Sequence, residues 1–170
     1  MSVSIRTPRF LLRELRDTDV TERYLGWFAD PVAQRYITAS DRMQGLADLR
    51  AYLAERLGRD DVLFLGIFVH ESGEHVGNIK YEPVDPEAGT AVMGILVGEE
   101  AWRGRGVAGE VLEASAAWLR EHRGIRKILL GVERDNAPAV KAYERVGFRI
   151  ERPGSLTPEG PDHLTMVWEL

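Results

Sequence analysis

The sequence predicts an α/β (α+β) fold: a mixed, mostly antiparallel central sheet flanked by helices, with one β-α-β unit in its second half. Three observations lead there. Apolar runs over 62–70, 75–84 and 90–97 follow one another across short turns, the pattern of an antiparallel meander. A long amphipathic stretch over 105–122 then separates two strand runs, which implies a right-handed parallel crossover. And 170 residues are enough to bury a core, so one domain over 1–170 is expected.

Each element has its own signal. Residues 10–15 read as a first strand. Asp17 to Asp19 offer caps for a helix reaching about residue 29, with Val20, Tyr24, Trp27 and Phe28 spaced for one face. Leu46, Leu49, Leu53 and Leu57 fall in register for a second helix over 46–57. The dense apolar run 62–70 is a buried strand, 71–74 a hairpin turn, 75–84 the returning strand, and 90–97 the third. The long helix carries its stripe on Ala108, Val111, Leu112, Ser115, Trp118 and Leu119. Residues 127–132 are apolar throughout, as a fully buried strand requires. A helix over 137–146 stops at Gly147, and 163–170 alternates as a closing strand. The Pro/Gly-rich stretches 83–89 and 153–161 read as loops. The predicted order is β-α-α-β-β-β-α-β-α-β.

Composition excludes several classes of function. The net charge of −5 argues against a nucleic acid partner, because duplex binders carry a basic excess. No apolar run reaches the roughly 18 residues of a membrane span, so no membrane partner is expected. The first residues lack the apolar stretch of a secretory signal, which makes the cytoplasm the expected location. Without cysteine there is no disulfide, thiolate nucleophile or cysteine-ligated metal. His70, His75, His122 and His163 lack metal-ligand spacing, so no metal is expected. No Gly-x-Ser-x-Gly elbow is present either, which disfavours an acyl-enzyme.

The chemistry concentrates in Arg103-Gly104-Arg105-Gly106-Val107-Ala108-Gly109, between a strand and a helix. Glycines let backbone N–H groups approach a ligand, and free N–H groups at a helix start attract anions. A phosphate or pyrophosphate is the natural occupant, although Arg103 and Arg105 also admit a reading as solvated surface charges. A P-loop fails, because Glu110 and Val111 stand where Lys and Ser/Thr are required. The dinucleotide fingerprint is matched by Gly104, Gly106 and Gly109, with Glu133 about 24 residues beyond as the ribose acid. Against it, residues 98–103 separate the loop from its strand, and about 37 residues after Glu133 are too few for a doubly wound sheet.

The remaining pattern, Arg/Gln-x-x-Gly-x-Gly/Ala, is carried by Arg103, Gly106 and Ala108. It resembles the Gcn5-related N-acetyltransferases, whose equivalent loop holds the coenzyme A pyrophosphate. A second segment, Asn136-Ala137-Pro138-Ala139-Val140-Lys141-Ala142-Tyr143-Glu144-Arg145-Val146-Gly147-Phe148, resembles the same superfamily's other cofactor motif. The two lie about 30 residues apart in the family's order, and the resemblance covers nearly the whole chain. Asn136 also suits a helix N-cap ahead of Pro138, and Tyr143 also reads as a packed core aromatic.

The resemblance implies acetyl-coenzyme A as co-substrate and direct transfer to an amine. It implies a splayed strand over 93–97 whose backbone N–H groups, at Ile95, Leu96 and Val97, bind the pantetheine arm and polarise the thioester. It places Arg103, Gly104, Arg105, Gly106, Val107, Ala108, Asn136 and Tyr143 around the cofactor, with Tyr143 hydrogen-bonded to the leaving sulfur. Relatives that act on protein N-termini carry an acid in Ala-Glu-hydrophobic-Gly, whereas Ala91-Val92-Met93-Gly94 has Val92 there. Glu82 and Glu99 are the candidate bases, unless the amine arrives neutral; each also reads as a plain surface acid. Tyr24 to Pro31 and Gly77 to Tyr81 resemble the branch that acetylates amino sugars, with Trp27 and Phe28 read as core. A small-molecule amine is therefore favoured over a ribosomal-type protein N-terminus. A non-catalytic acyl-coenzyme A sensor is the rival from another class, and a homodimer is a family-level expectation.

Overall fold

The computed structural model describes residues 2–31, 42–151 and 163–170. The sheet has eight strands: β1 (Ser4–Arg6), β2 (Phe10–Glu14), β3 (Leu63–Val69), β4 (His75–Asp85), β5 (Thr90–Val97), β6 (Lys127–Glu133), β7 (Arg149–Ile150) and β8 (His163–Glu169). Their order is β1-β2-β3-β4-β5-β6-β8-β7, and every neighbouring pair is antiparallel except β5 with β6. The described α-helices are α1 (Glu22–Trp27), α2 (Leu46–Ala54), α3 (Val107–Arg123) and α4 (Ala137–Val146). The meander β3-β4-β5 and the parallel β5-α3-β6 unit match the sequence reading. No described helix is long and apolar enough to cross a membrane.

The sheet is covered on both faces, and the pleat sorts the side chains. Leu63, Leu65 and Ile67 of β3 join Ile79, Tyr81 and Met93 beneath α3, whose Val111, Leu112 and Leu119 are fully buried. Phe64 and Phe68 of the same strand face the other way, against Tyr24, Trp27, Leu49 and Leu53 of α1 and α2. This two-sided burial is why β3 reads as an unbroken apolar run. The Tyr81 hydroxyl and Ser115 Oγ share a buried hydrogen bond of 2.7 Å, and Ser115 donates to the Val111 carbonyl at 2.7 Å. These bonds fix the axial position of α3 on β4.

Several boundaries differ from expectation. β1 and β7, of three and two residues, are too short to show a period. Residues Asp17–Asp19 form a 3₁₀ turn instead of capping α1. The cap is Thr21, whose hydroxyl accepts from the Tyr24 N–H at 3.2 Å. The helix expected from 105 begins at Val107, because Gly104 and Gly106 take left-handed φ of 72° and 76°. Pro83 lies inside β4 beside a register shift, so that part of the expected loop is strand. Gly147 ends α4 as predicted. The loop expected at 153–161 lies outside the described residues.

Candidate active site

The site is built where β5 and β6 part. Their parallel pairing runs through Thr90↔Lys127, Ala91↔Ile128 and Val92↔Leu129 and stops there. Beyond it β5 stays on β4 through Gly77↔Val97, while β6 stays on β8 through Glu133↔His163. A wedge therefore opens at the carboxyl ends of the two parallel strands, where open α/β sheets bind ligands. The helices following those strands, α3 and α4, touch where α3 starts and α4 ends: a Cβ on Gly109 would stand 3.7 Å from Val146 Cγ2.

The antiparallel ladder decides which backbone groups face the wedge. The Gly98 N–H donates to the Val76 carbonyl at 2.8 Å, which makes Gly77↔Val97 a non-hydrogen-bonded pair. Alternation then turns the backbone groups of Val97 and Ile95 away from β4, toward the opening. Leu96, expected at the cofactor with Ile95 and Val97, alternates with them in the ladder. Its backbone groups belong to the ladder with Asn78, and its side chain packs against the α1/α2 cluster.

The loop after β5 is held from two sides. Gly98 lies flat on the Trp27 indole with no room for a Cβ, and the indole N–H donates to Glu99 at 2.5 Å. Arg103 donates through Nε to the Val97 carbonyl at 3.0 Å and pairs through Nη1 with Asp30 at 3.2 Å. Arg103 thus braces the loop, where an anion-binding side chain was expected. Arg105 remains exposed, its guanidinium 4.2 Å from the Trp102 ring, with no ion pair among the described residues. Val107 is buried, so only its backbone faces the helix mouth, and Ala108 is half-buried. The N–H groups of the first turn of α3 have no intrahelical partner, which suits an anion.

Sequence reasoning missed Arg9. Its Nη2 lies 3.7 Å from the position a Gly106 Cβ would occupy, and its Nε pairs with Glu110 at 2.7 Å. No local pattern could reveal a contact between residues 101 apart.

On α4, Asn136 holds the N-cap position, but its side chain makes no cap hydrogen bond and stays half-buried. The Tyr143 ring packs 5.8 Å from Phe148, and its hydroxyl has no hydrogen-bond partner among the described residues. Burial pushes its phenol up to about 12. Tyr143 is thus both a packed aromatic and an available donor.

Both candidate bases are engaged. Glu82 Oε1 accepts from Arg56 Nε at 2.9 Å and lies 3.5 Å from Lys80, while Oε2 lies 3.7 Å from Arg59. Glu99 is bonded to Arg23 at 2.6 Å and to Trp27, and the Arg23 hydrogen bond holds its carboxyl below the usual range. Glu82, the expected base, and Glu99 are therefore both held by cations in this structure. Trp27 and Phe28 are core, as expected. Among the described residues no group of His, Asp and Glu is arranged to hold a metal.

A mixed sheet split at its one parallel pair, with a glycine-led helix at the split, is the arrangement that the resemblance to the Gcn5-related N-acetyltransferases implied. The Acetyltransferase (GNAT) domain family matches residues 9–149, and the chain belongs to that family. Mycothiol acetyltransferase of Corynebacterium aurimucosum is 38% identical over 108 residues, which cover 59% of this chain and 34% of that protein. The L-amino acid N-acetyltransferase AaaT of Escherichia coli is 43% identical over 68 residues, 38% of this chain and 39% of that one. The chain thus matches 34% of the length of the first of these relatives and 39% of the second. In fold it matches RimL, a ribosomal L7/L12 alpha-N-protein acetyltransferase solved with coenzyme A. The TM-score is 0.85 at 16% identity, covering 99% of this chain and 98% of that one.

Proposed function

We propose that the chain moves an acetyl group from acetyl-coenzyme A directly to a primary amine of a small molecule. The carrying observation is the opening of the sheet beyond Val92↔Leu129, which leaves the backbone groups of Ile95 and Val97 without a strand partner. The fit to the co-substrate rests on further features. Gly104 and Gly106 keep the helix mouth bare of side chains, Arg105 supplies positive charge beside it, Arg9 offsets the Glu110 carboxylate, and the Asn136 side chain makes no cap hydrogen bond. Bound there, acetyl-coenzyme A supplies an activated thioester.

The chain's own groups then divide the work. The Ile95 N–H is the donor for the thioester carbonyl oxygen, the position at which negative charge develops during attack. Tyr143, protonated at neutral pH, is the donor for the departing sulfur. With Val92 in place of an acid and with Glu82 and Glu99 engaged, the amine reacts in its neutral form and gives its proton to water. That favours acceptors with an α-amine pKa of about 8 over a lysine-type amine of about 10.4. The small molecules in the names of the two partial relatives, mycothiol and an L-amino acid, point the same way.

The test is release of free thiol from acetyl-coenzyme A across amino sugars, amino acids, polyamines and peptide N-termini. Turnover is expected with small amines, with kcat/KM rising with pH up to each acceptor's own amine pKa. Coenzyme A binding without turnover on any acceptor would replace the enzyme with a sensor.

A further inference from the structure

On the face of β5 opposite α3, a Cβ on Gly94 would find nothing within 4 Å among the described residues, although the glycine is central in the sheet. This open floor adjoins Ile95, so it is where an acceptor reaches the wedge. Its cross-strand neighbour is Lys80, which shares the face with Asn78, Tyr52 and Leu96. The Lys80 ammonium donates to the Tyr52 hydroxyl at 2.7 Å and stands 3.5 Å from Glu82. The Arg56 guanidinium lies 3.7 Å from the Tyr52 ring centre and also pairs with Glu82. Glu82 is shared by Lys80, Arg56 and Arg59, while Arg56 also pairs with Glu55 at 3.4 Å and Arg59 with Asp61 at 2.8 Å, which leaves Lys80 as the cation of this network paired across the strands with Gly94. The Lys80 side chain is partly exposed, and an ammonium has three donors, so it retains donor capacity.

We infer that the acceptor is a small amine carrying an anionic group, a carboxylate or a phosphate, which Lys80 receives beside Gly94 while Tyr52 orients the ammonium. The inference rests on the transferase reading above and names the substrate class of that same site. A fixed cation here does two things at once. It attracts the anionic group, and it disfavours the ammonium form of a nearby amine, easing deprotonation where no carboxylate base is free. Polyamines, cationic throughout, meet repulsion.

The experiment compares kcat/KM for glycine against glycinamide and for glucosamine 6-phosphate against glucosamine, with spermidine as a cationic control. Wild type, Lys80→Gln and Lys80→Arg are measured in parallel. Each acceptor's own amine basicity cancels when its wild-type value is divided by its value for a variant. In Lys80→Gln, at least one anionic acceptor should lose about tenfold more than its neutral partner. Lys80→Arg should keep the discrimination within about threefold of wild type. The first pair reports a carboxylate, the second a phosphate. Equal losses across both pairs in Lys80→Gln, with coenzyme A affinity retained, overturn the proposal, as does a wild-type preference for spermidine. Thiol release without charge discrimination sinks this inference alone, whereas no thiol release on any acceptor sinks the transferase reading and this inference with it.

Discussion

Arg9 and Glu110 close an ion pair at 2.7 Å that ties the turn between β1 and β2 to the first turn of α3. Glu110 also accepts from Thr7 Oγ1 at 2.6 Å and from the Arg9 N–H at 2.9 Å, so one carboxylate holds three donors. Left bare, that carboxylate would repel an anion at the helix mouth. Capped by Arg9, it positions the mouth and leaves it attractive to phosphate.

Replacing Glu110 with Gln should cost about 1.5–3 kcal/mol in urea denaturation, the range for hydrogen bonds to a charged group. Burial opposes ionisation of Glu110, but the bonds from Thr7 and Arg9 outweigh it and hold the carboxyl below its ordinary 4.5. The lowered native value means the contribution is present above pH 4.5 and fades as pH falls through the native pKa. The variant should therefore show a shallower stability loss in that acid range. An unchanged acid profile would remove Glu110 as its cause.

Gly106 has a left-handed φ of 76°, so Gly106→Ala should cost roughly 1–2 kcal/mol in stability from backbone strain alone. Gly106→Glu adds bulk and negative charge at the helix mouth and should abolish coenzyme A binding in calorimetry. Wild-type affinity in that variant would refute the loop as the phosphate site.

Tyr143→Phe removes a hydroxyl that has no partner among the described residues, so the fold should lose little. Turnover should fall about a hundredfold, within the range for general acid catalysis, with coenzyme A affinity nearly intact. Undiminished turnover would leave Tyr143 as a core aromatic only.

The His75 ring stacks on Phe68 at 4.6 Å and meets Trp27 at 4.7 Å, with its Nε2 2.8 Å from Asn78 Oδ1. Burial lowers its pKa below 6.5, despite the opposing bond to Asn78. The folded state thus resists protonation, and stability should fall as pH drops from 6.5 toward the native pKa. His75→Gln should lower Tm overall and flatten this slope. A slope identical to wild type would assign the acid sensitivity elsewhere.

By itself the sequence determined the order of the principal elements, the glycine-led start of α3, the stop at Gly147 and the absence of an acid at Val92. Those features are written in nearest-neighbour periodicity and in glycine's access to positive φ, which need no distant partner. The tertiary structure decided the rest. The split beyond Val92↔Leu129 depends on β6 following β8 while β5 follows β4. That divergence opens the wedge, and the β4–β5 ladder turns the backbone groups of Ile95 toward it and those of Leu96 away. Arg103 reads as an anion ligand until Val97 and Asp30 claim it, and Glu82 reads as a base until Arg56 and Lys80 surround it. An ion pair is chosen by which faces the sheet order brings together, and that choice is made across separations, such as Arg9 to Glu110, that local pattern does not span.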